Sequence, residues 1–337
     1  VALGVTVAQA ERSRRAAKAE LGRARRFAQL PGEPLPEALR RMALGQLDLA
    51  IELLGGESAG GRGDGRRDGR AFDQKAVHDT RKALKRLRAL VRLLRAELGE
   101  RQYKREHAIL RDAARRLAGA RDAEVMVGTL DALLERHPRE LGRRRQLLEL
   151  RKRLVAERAA AERATLGDRA TRGEVLRELS GLRERARQWD LPERPGIALV
   201  ERDLRRIYRD GRERKRRVTR GKGSSGAHGA HAWRKRVKDL RYAAEILGQR
   251  PLAHRADKLA ELLGEEHDLV VLAGLLPPPG RAPFKGRRGK RARKALLARI
   301  ARRRRRLRKR ALREGERLYG QAPKKFARRV RRVHTRR

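Results

Sequence analysis

The sequence predicts an all-α protein, on three observations. β-Branched residues are sparse, so strand signals are nearly absent. The segments between breaks are long, rich in Ala, Leu, Arg and Glu, and apolar at every third or fourth residue, the period of a helix with one buried face. Gly and Pro clusters at 31–36, 55–69, Pro138, 167–173, 191–196, 221–229 and 277–289 cut the chain into pieces of bundle length.

Between these stops the pattern predicts helices at 37–54, 74–98, 101–118, 121–136, 141–166, 175–188 and 197–218. Three more follow at 231–247, 252–263 and 265–276, before a basic stretch at 291–319. Five consecutive arginines, Arg302 to Arg306, stand in that region, yet Leu296, Leu297, Ile300, Leu307 and Leu312 give it a narrow apolar stripe. It reads as a helix that also meets an anion. The last residues, with Arg328, Arg329, Arg331 and Arg332, read equally well as a solvated basic tail. The expected organisation is an N-terminal helical extension (1–33), a duplicated core (34–276) and an arginine-rich, partly helical C-terminal extension (277–337). Within the core, connecting helices at about 141–190 join repeats at about 34–140 and 194–276.

Charge is the second constraint. The 337 residues hold 91 Lys+Arg against 42 Asp+Glu, a formal net charge of +49. Such a chain repels itself unless a polyanion neutralises it. The chain has no cysteine, which excludes disulfides, thiolate nucleophiles and Cys-ligated metal and suits a reducing cytosol. No apolar run approaches the ~20 residues of a membrane-spanning helix, so a cytoplasmic location without membrane contact is expected. With four Phe, four Tyr and two Trp, aromatics are too few for reading single-stranded bases by stacking.

An internal repeat locates the charge. VHDTRKALKRLRALVRLL at 77–94 matches HAWRKRVKDLRYAAEIL at 231–247, aligning His78 with His231, Arg81 with Arg234, Lys82 with Lys235, Lys85 with Lys238, Leu87 with Leu240 and Arg88 with Arg241. A second match follows each, LAGARD ending at Asp122 and LGEEHD ending at Asp268. At about 100° per residue, His78, Arg81, Lys82, Lys85, Arg88 and Arg92 share roughly a third of one helix surface. Leu84, Leu87, Leu90, Val91, Leu94 and Leu98 fill the opposite arc. In the second copy His231, Arg234, Lys235, Lys238, Arg241 and Tyr242 lie opposite Val237, Leu240, Ala243, Ala244 and Leu247. A merely soluble face would mix signs for i,i+4 pairing. The only acid within 77–95 is Asp79, although Glu245 falls on the basic side of the second copy. These residues form the candidate anion site.

The paired motifs HDTRKALKRLR (78–88) and HAWRKRVKDLR (231–241) resemble the CHAD family, the conserved-histidine α-helical domain, over roughly 34–276. The resemblance implies two four-helix bundles related by a pseudo-twofold axis, with basic helices facing a shared groove that binds inorganic polyphosphate. This sequence departs from a symmetric pattern where Asp239 stands opposite Arg86 and Ala118 opposite Gly264, so the halves need not bind equally. CHAD domains often follow a CYTH triphosphate-tunnel domain bearing ExExK; that motif does not occur here, and tunnel-type triphosphatase activity is not implied.

The expected function is therefore a non-catalytic polyphosphate-binding module or scaffold, with polyphosphate granules and other proteins on them as further partners. The chain lacks a P-loop, a paired-carboxylate pattern, a Ser/His/Asp arrangement and a convincing nucleophile, so no catalytic residue is assigned. His228 with His231 lacks the carboxylate or thiolate cluster that would complete a metal site, and no cofactor or metal is expected. His78 and His231 read either as anion contacts or as core or capping residues. Asp122 and Asp268 read as helix caps or as anchors for basic side chains. Non-specific RNA or DNA binding is the competing reading, since charge alone also supports it.

Overall fold

Proline and aspartate set where the helices begin. The computed structural model describes residues 21–56, 73–194, 196–220 and 227–335, the side chains of 119–122 and 227–228 excepted. Helix α1 (Leu35–Gly55) opens with proline in its first turn, where a missing N–H costs nothing, and closes on Gly56 at φ 74°. Helix α2 (Gln74–Leu93) is capped by Asp73, whose carboxylate accepts the N–H of Ala76 at 2.7 Å. The predicted 74–98 helix instead ends at Leu94. There α3 (Arg95–Arg116) turns away, with Gly99 at φ 71° near its start.

Helices α4 (Gly119–Arg136) and α5 (Arg145–Gly167) pair around the turn Pro138–Gly142. Asp168 accepts the N–H of Thr171 at 2.9 Å and starts α6 (Arg169–Arg187), so 169–173 is helical rather than a break. After α7 (Ala198–Thr219) and α8 (Ala227–Ile246) comes α9 (Arg250–Leu275), a single helix where the sequence pattern predicts two. Gly264 accounts for the difference. It is helical, and its missing side chain makes room for Arg234, whose Nη2 a β-carbon there would approach to 3.1 Å. Helices α10 (Gly286–Tyr319) and α11 (Pro323–Thr335) complete the chain.

Packing sorts the helices into two sets. α1, α2, α3 and α6 pack in a ring, as do α7, α8, α9 and α10, while the α4–α5 pair leans on α9 and α10. The sets meet where α2 touches α7 and α8 and α3 touches α7. Asp203 of α7, buried, accepts the N–H of Ala96 at 2.7 Å across this junction. That satisfies one of the orphan N–H donors at the start of α3.

The arginine-rich region expected as an extension is thus the fourth helix of the second ring. Leu296, Ile300, Leu307 and Ala311 are buried, and Gly315 sits so close to Trp233 of α8 that a β-carbon would stand 2.5 Å from its ring. Each fully buried leucine or isoleucine contributes about 1.5–3 kcal/mol. The solvated-tail reading of the last residues gives way to a docked helix. Phe326, Ala327 and Val330 are buried, Phe326 stacks on Tyr208 at 3.9 Å, and Arg328, Arg329, Arg331 and Arg332 face solvent.

Ahead of α1, the N–H of Gln29 donates to the carbonyl of Ile246 at 3.0 Å, and Phe27 is buried edge-on to Tyr242. Residues 1–20, the glycine-rich 57–72, the 221–226 segment and the side chains of Asp122 and His228 lie outside the described residues.

Candidate anion-binding site

The two repeat helices, α2 and α8, pack against each other, which brings Lys85 near Lys238 and Arg92 onto Asp239. His78, Lys82 and Lys85 of α2 and Lys235 of α8 are exposed, while His231, Arg234 and Lys238 are half-buried. Lys238 shows how crowded the meeting is. Burial, then the charges of Arg234, Lys85 and Arg241, hold its ammonium down to a pKa of about 8, with Asp268 acting the other way. Its aligned partner Lys85 is thus also its spatial neighbour.

His231 stacks on His267 at 4.1 Å between ring centres. Burial, then His267 and the cations Lys235, Arg234 and Lys238, hold His231 down to about 4, and His267 is also lowered, chiefly by burial. Both imidazoles are therefore neutral at pH 7. Asp268 lies in the middle of α9 rather than at a helix start, so it caps nothing. Its charge opposes the proton loss of Lys238 and His267 instead.

The motif arginines reach the second sequence match in both copies, by different contacts. Arg81 donates to the carbonyl of Leu117 at 2.6 Å, whereas Arg234 packs against Gly264.

Farther along, the basic face is neutralised. Arg92 forms an ion pair with the buried Asp239, which Arg236 also meets at 3.2 Å, and Arg92 Nη2 lies 2.9 Å from His107 Nε2. Burial and then Arg92, Arg88 and Arg111 hold His107 down to about 4. Arg88 is likewise lowered, by burial and by Arg92. Arg241 pairs with Glu245 at 2.8 Å and with Asp257 at 2.6 Å. These two carboxylates, one of them missed by spacing alone, remove Arg241 from the open face.

Tyr242 is a correction. Assigned to the basic face by its spacing, it is buried in the core with Phe27 against its ring, and burial raises its phenol pKa. The segment preceding α1 covers it, an interaction no helical wheel contains.

A cleft of about 420 Å³ between α4 and α9 meets the basic face only at Arg234. Glu261, Glu265 and Asp268 outnumber Arg136 and Arg234 in its lining, the wrong balance for a polyanion. Among the described residues no group of three or more His, Asp or Glu stands together as a metal site, and no helix is long and apolar enough to cross a membrane.

The profile of the CHAD domain matches residues 64–277, more than half of the chain. This chain belongs to the CHAD domain family. The crystal structure of the CHAD domain from the plant Ricinus communis superposes with a TM-score of 0.54 at 23% sequence identity, covering 87% of this chain and 94% of that one. That likeness speaks for the fold. A search of curated proteins found no match.

In this CHAD chain, His267 and Arg236 are neighbours of the candidate residues that the motif comparison missed. His267 had a signal, because it stands in the second match at the position of Arg121. Arg236 had a weaker one, its i,i+3 spacing from Asp239 on α8, and the packing of α8 on α2 adds Arg92 to the pair.

Proposed function

We propose that this CHAD chain binds inorganic polyphosphate on the joined basic faces of α2 and α8, as a module or scaffold without catalysis. The reading rests on one observation above all: Lys85 and Lys238, aligned in the repeat, converge in space, and Lys82 and Lys235 are exposed on the same two helix faces. A linear phosphate polymer would match this concentration of positive charge. Arginines fork onto pairs of its oxygens and lysines act as mobile point charges. Counterion release then makes affinity fall steeply with salt, by about −0.7 in log–log slope per phosphate if the polymer behaves as a single strand. The pseudo-twofold relation of the halves, a cytoplasmic location and recruitment to polyphosphate granules belong to the same reading.

Non-specific nucleic-acid binding is less well supported. Trp189, Trp233, Tyr208, Tyr242, Tyr319, Phe27, Phe284 and Phe326 are all buried, so they offer no platform for bases.

The test is competition at fixed ionic strength between long-chain polyphosphate, single-stranded RNA and duplex DNA. It compares the wild type with a variant carrying Lys82→Ala, Lys85→Ala, Lys235→Ala and Lys238→Ala. Polyphosphate should win at equal phosphate concentration and the variant should lose that preference. Equal competition by nucleic acid, or unchanged binding by the variant, would overturn the reading.

A further inference from the structure

Helix α10 carries a second basic surface, remote from the first. No Asp or Glu occurs between Asp268 and Glu314, a span that includes nearly all of this helix. Its buried line runs through Ala292, Leu296, Ile300, Leu307 and Ala311. On the opposite arc Arg287, Arg291, Lys294, Arg302, Arg305 and Lys309 are exposed. At about 100° and 1.5 Å per residue they fall within about 80° of one another and run along about 33 Å of helix.

An exposed charged stripe is ordinarily a solvated face, and such faces carry both signs. This one does not, and its neighbours show where the acids went. Arg299 pairs with Glu140, Arg303 with Glu265 at 2.6 Å and Arg304 with Glu266 at 2.9 Å, all from the inner flanks of the helix. The carboxylates of the turn at 138–142 and of α9 dock the helix, and among the described residues no carboxylate pairs with its outer row. Like charges three and four residues apart destabilise a helix by a few tenths of a kcal/mol per pair, which a bound polyanion would reverse.

Position matters as much as charge. In the ring α7–α8–α9–α10, α8 and α10 stand at opposite corners, and Trp233 of α8 meets Gly315 of α10 across the interior. The face of α8 that meets α2 therefore points away from the outer face of α10. With helices about 10 Å across, the two basic surfaces are separated by on the order of 20–30 Å of protein.

We infer that the outer face of α10 holds a second, separate strand of polyphosphate, so that one protein molecule bridges two strands. The inference rests on the proposed function for the identity of the polymer. The stripe bears no aromatic residue, the only one in α10 being the buried Tyr319, so it presents a row of phosphate contacts and nothing that reads a base.

The experiment counts short, length-defined polyphosphate oligomers bound per full-length chain by native mass spectrometry, and follows cross-linking of long-chain polyphosphate by light scattering. Three forms are compared: wild type, the four-lysine Ala variant of α2 and α8, and a variant in which the six α10 residues are changed to Gln. Circular dichroism confirms that each form stays folded. Wild type should bind two oligomers and each variant one, and only wild type should cross-link long chains. If wild type binds one oligomer, lost in the four-lysine variant and kept in the α10 variant, the second strand is refuted and the proposed function stands. If that one oligomer is lost in the α10 variant alone, the proposed α2–α8 site falls, and bridging with it. Displacement of polyphosphate from the four-lysine variant by RNA at equal phosphate would overturn the choice of polymer.

Discussion

The guanidinium of Arg234 lies against Gly264, filling the space that a β-carbon would need, and its repeat counterpart Arg81 donates to the carbonyl of Leu117 at 2.6 Å. In both copies the arginine of the basic helix thus reaches the second match, by a hydrogen bond in the first and by packing in the second. Gly264→Ala should therefore separate binding from stability. Alanine gains up to about 1 kcal/mol of helix propensity over glycine, and the atom it meets is the end of a flexible side chain. The urea midpoint should change little while polyphosphate affinity falls about fivefold, roughly 1 kcal/mol. Unchanged affinity in a titration would show that Arg234 does not touch the polymer.

Asp239→Ala should be costly. It leaves Arg92 and Arg236 facing each other and takes from Arg88 the nearby charge of Asp239. Breaking a buried pair on one side costs about 3–5 kcal/mol. Urea denaturation should show that loss, and the double variant Arg92→Met with Asp239→Leu should recover much of it.

Gly315→Ala should destabilise the second ring by about 1–3 kcal/mol, the range for overpacking a core. Its β-carbon would stand 2.5 Å from the rigid, fully buried ring of Trp233. A thermal melt that loses stability would confirm that α10 belongs to the folding unit; an unaltered melt would detach it.

Stability should rise with pH in two windows. His231 and His107 are held at about 4 in the folded chain, below the ordinary 6.5. The unfolded chain binds those protons first as pH falls, so stability is lost from about 6.5 down to 4. Lys238, held at about 8 against 10.5, adds the same sign between those values. Urea midpoints measured from pH 4.5 to 10 should follow this course, and His231→Gln with His107→Gln should flatten the acid limb.

A bound polyanion favours the protonated forms, so binding should draw in protons. Near pH 8 the uptake belongs to Lys238, and affinity falls as pH rises through that value. Calorimetry in buffers of different ionisation enthalpy should detect the uptake and Lys238→Met should abolish it.

The helix pattern was readable wherever a boundary had a local cause. Proline near α1 and Asp73 before α2 are local signals, and the predicted starts at 37 and 74 fall close to the observed ones. The errors lie where a distant residue decided the outcome. Gly264 reads as a break until Arg234 occupies its missing side chain, and Tyr242 reads as surface until Phe27 covers it. Helix α11 reads equally as a free tail until Tyr208 stacks on Phe326.

By itself the sequence determined the fold class, the repeat and the sense of each amphipathic face, because helical periodicity and side-chain direction are local properties of the chain. Only the tertiary structure decided, among the described residues, which cations meet a carboxylate. Arg92, Arg241, Arg303 and Arg304 find carboxylates on other turns or other helices, whereas Lys82, Lys235 and the outer row of α10 remain exposed to solvent. Ion pairing acts over a few ångströms between residues that may be a hundred positions apart, and no local pattern carries that distance.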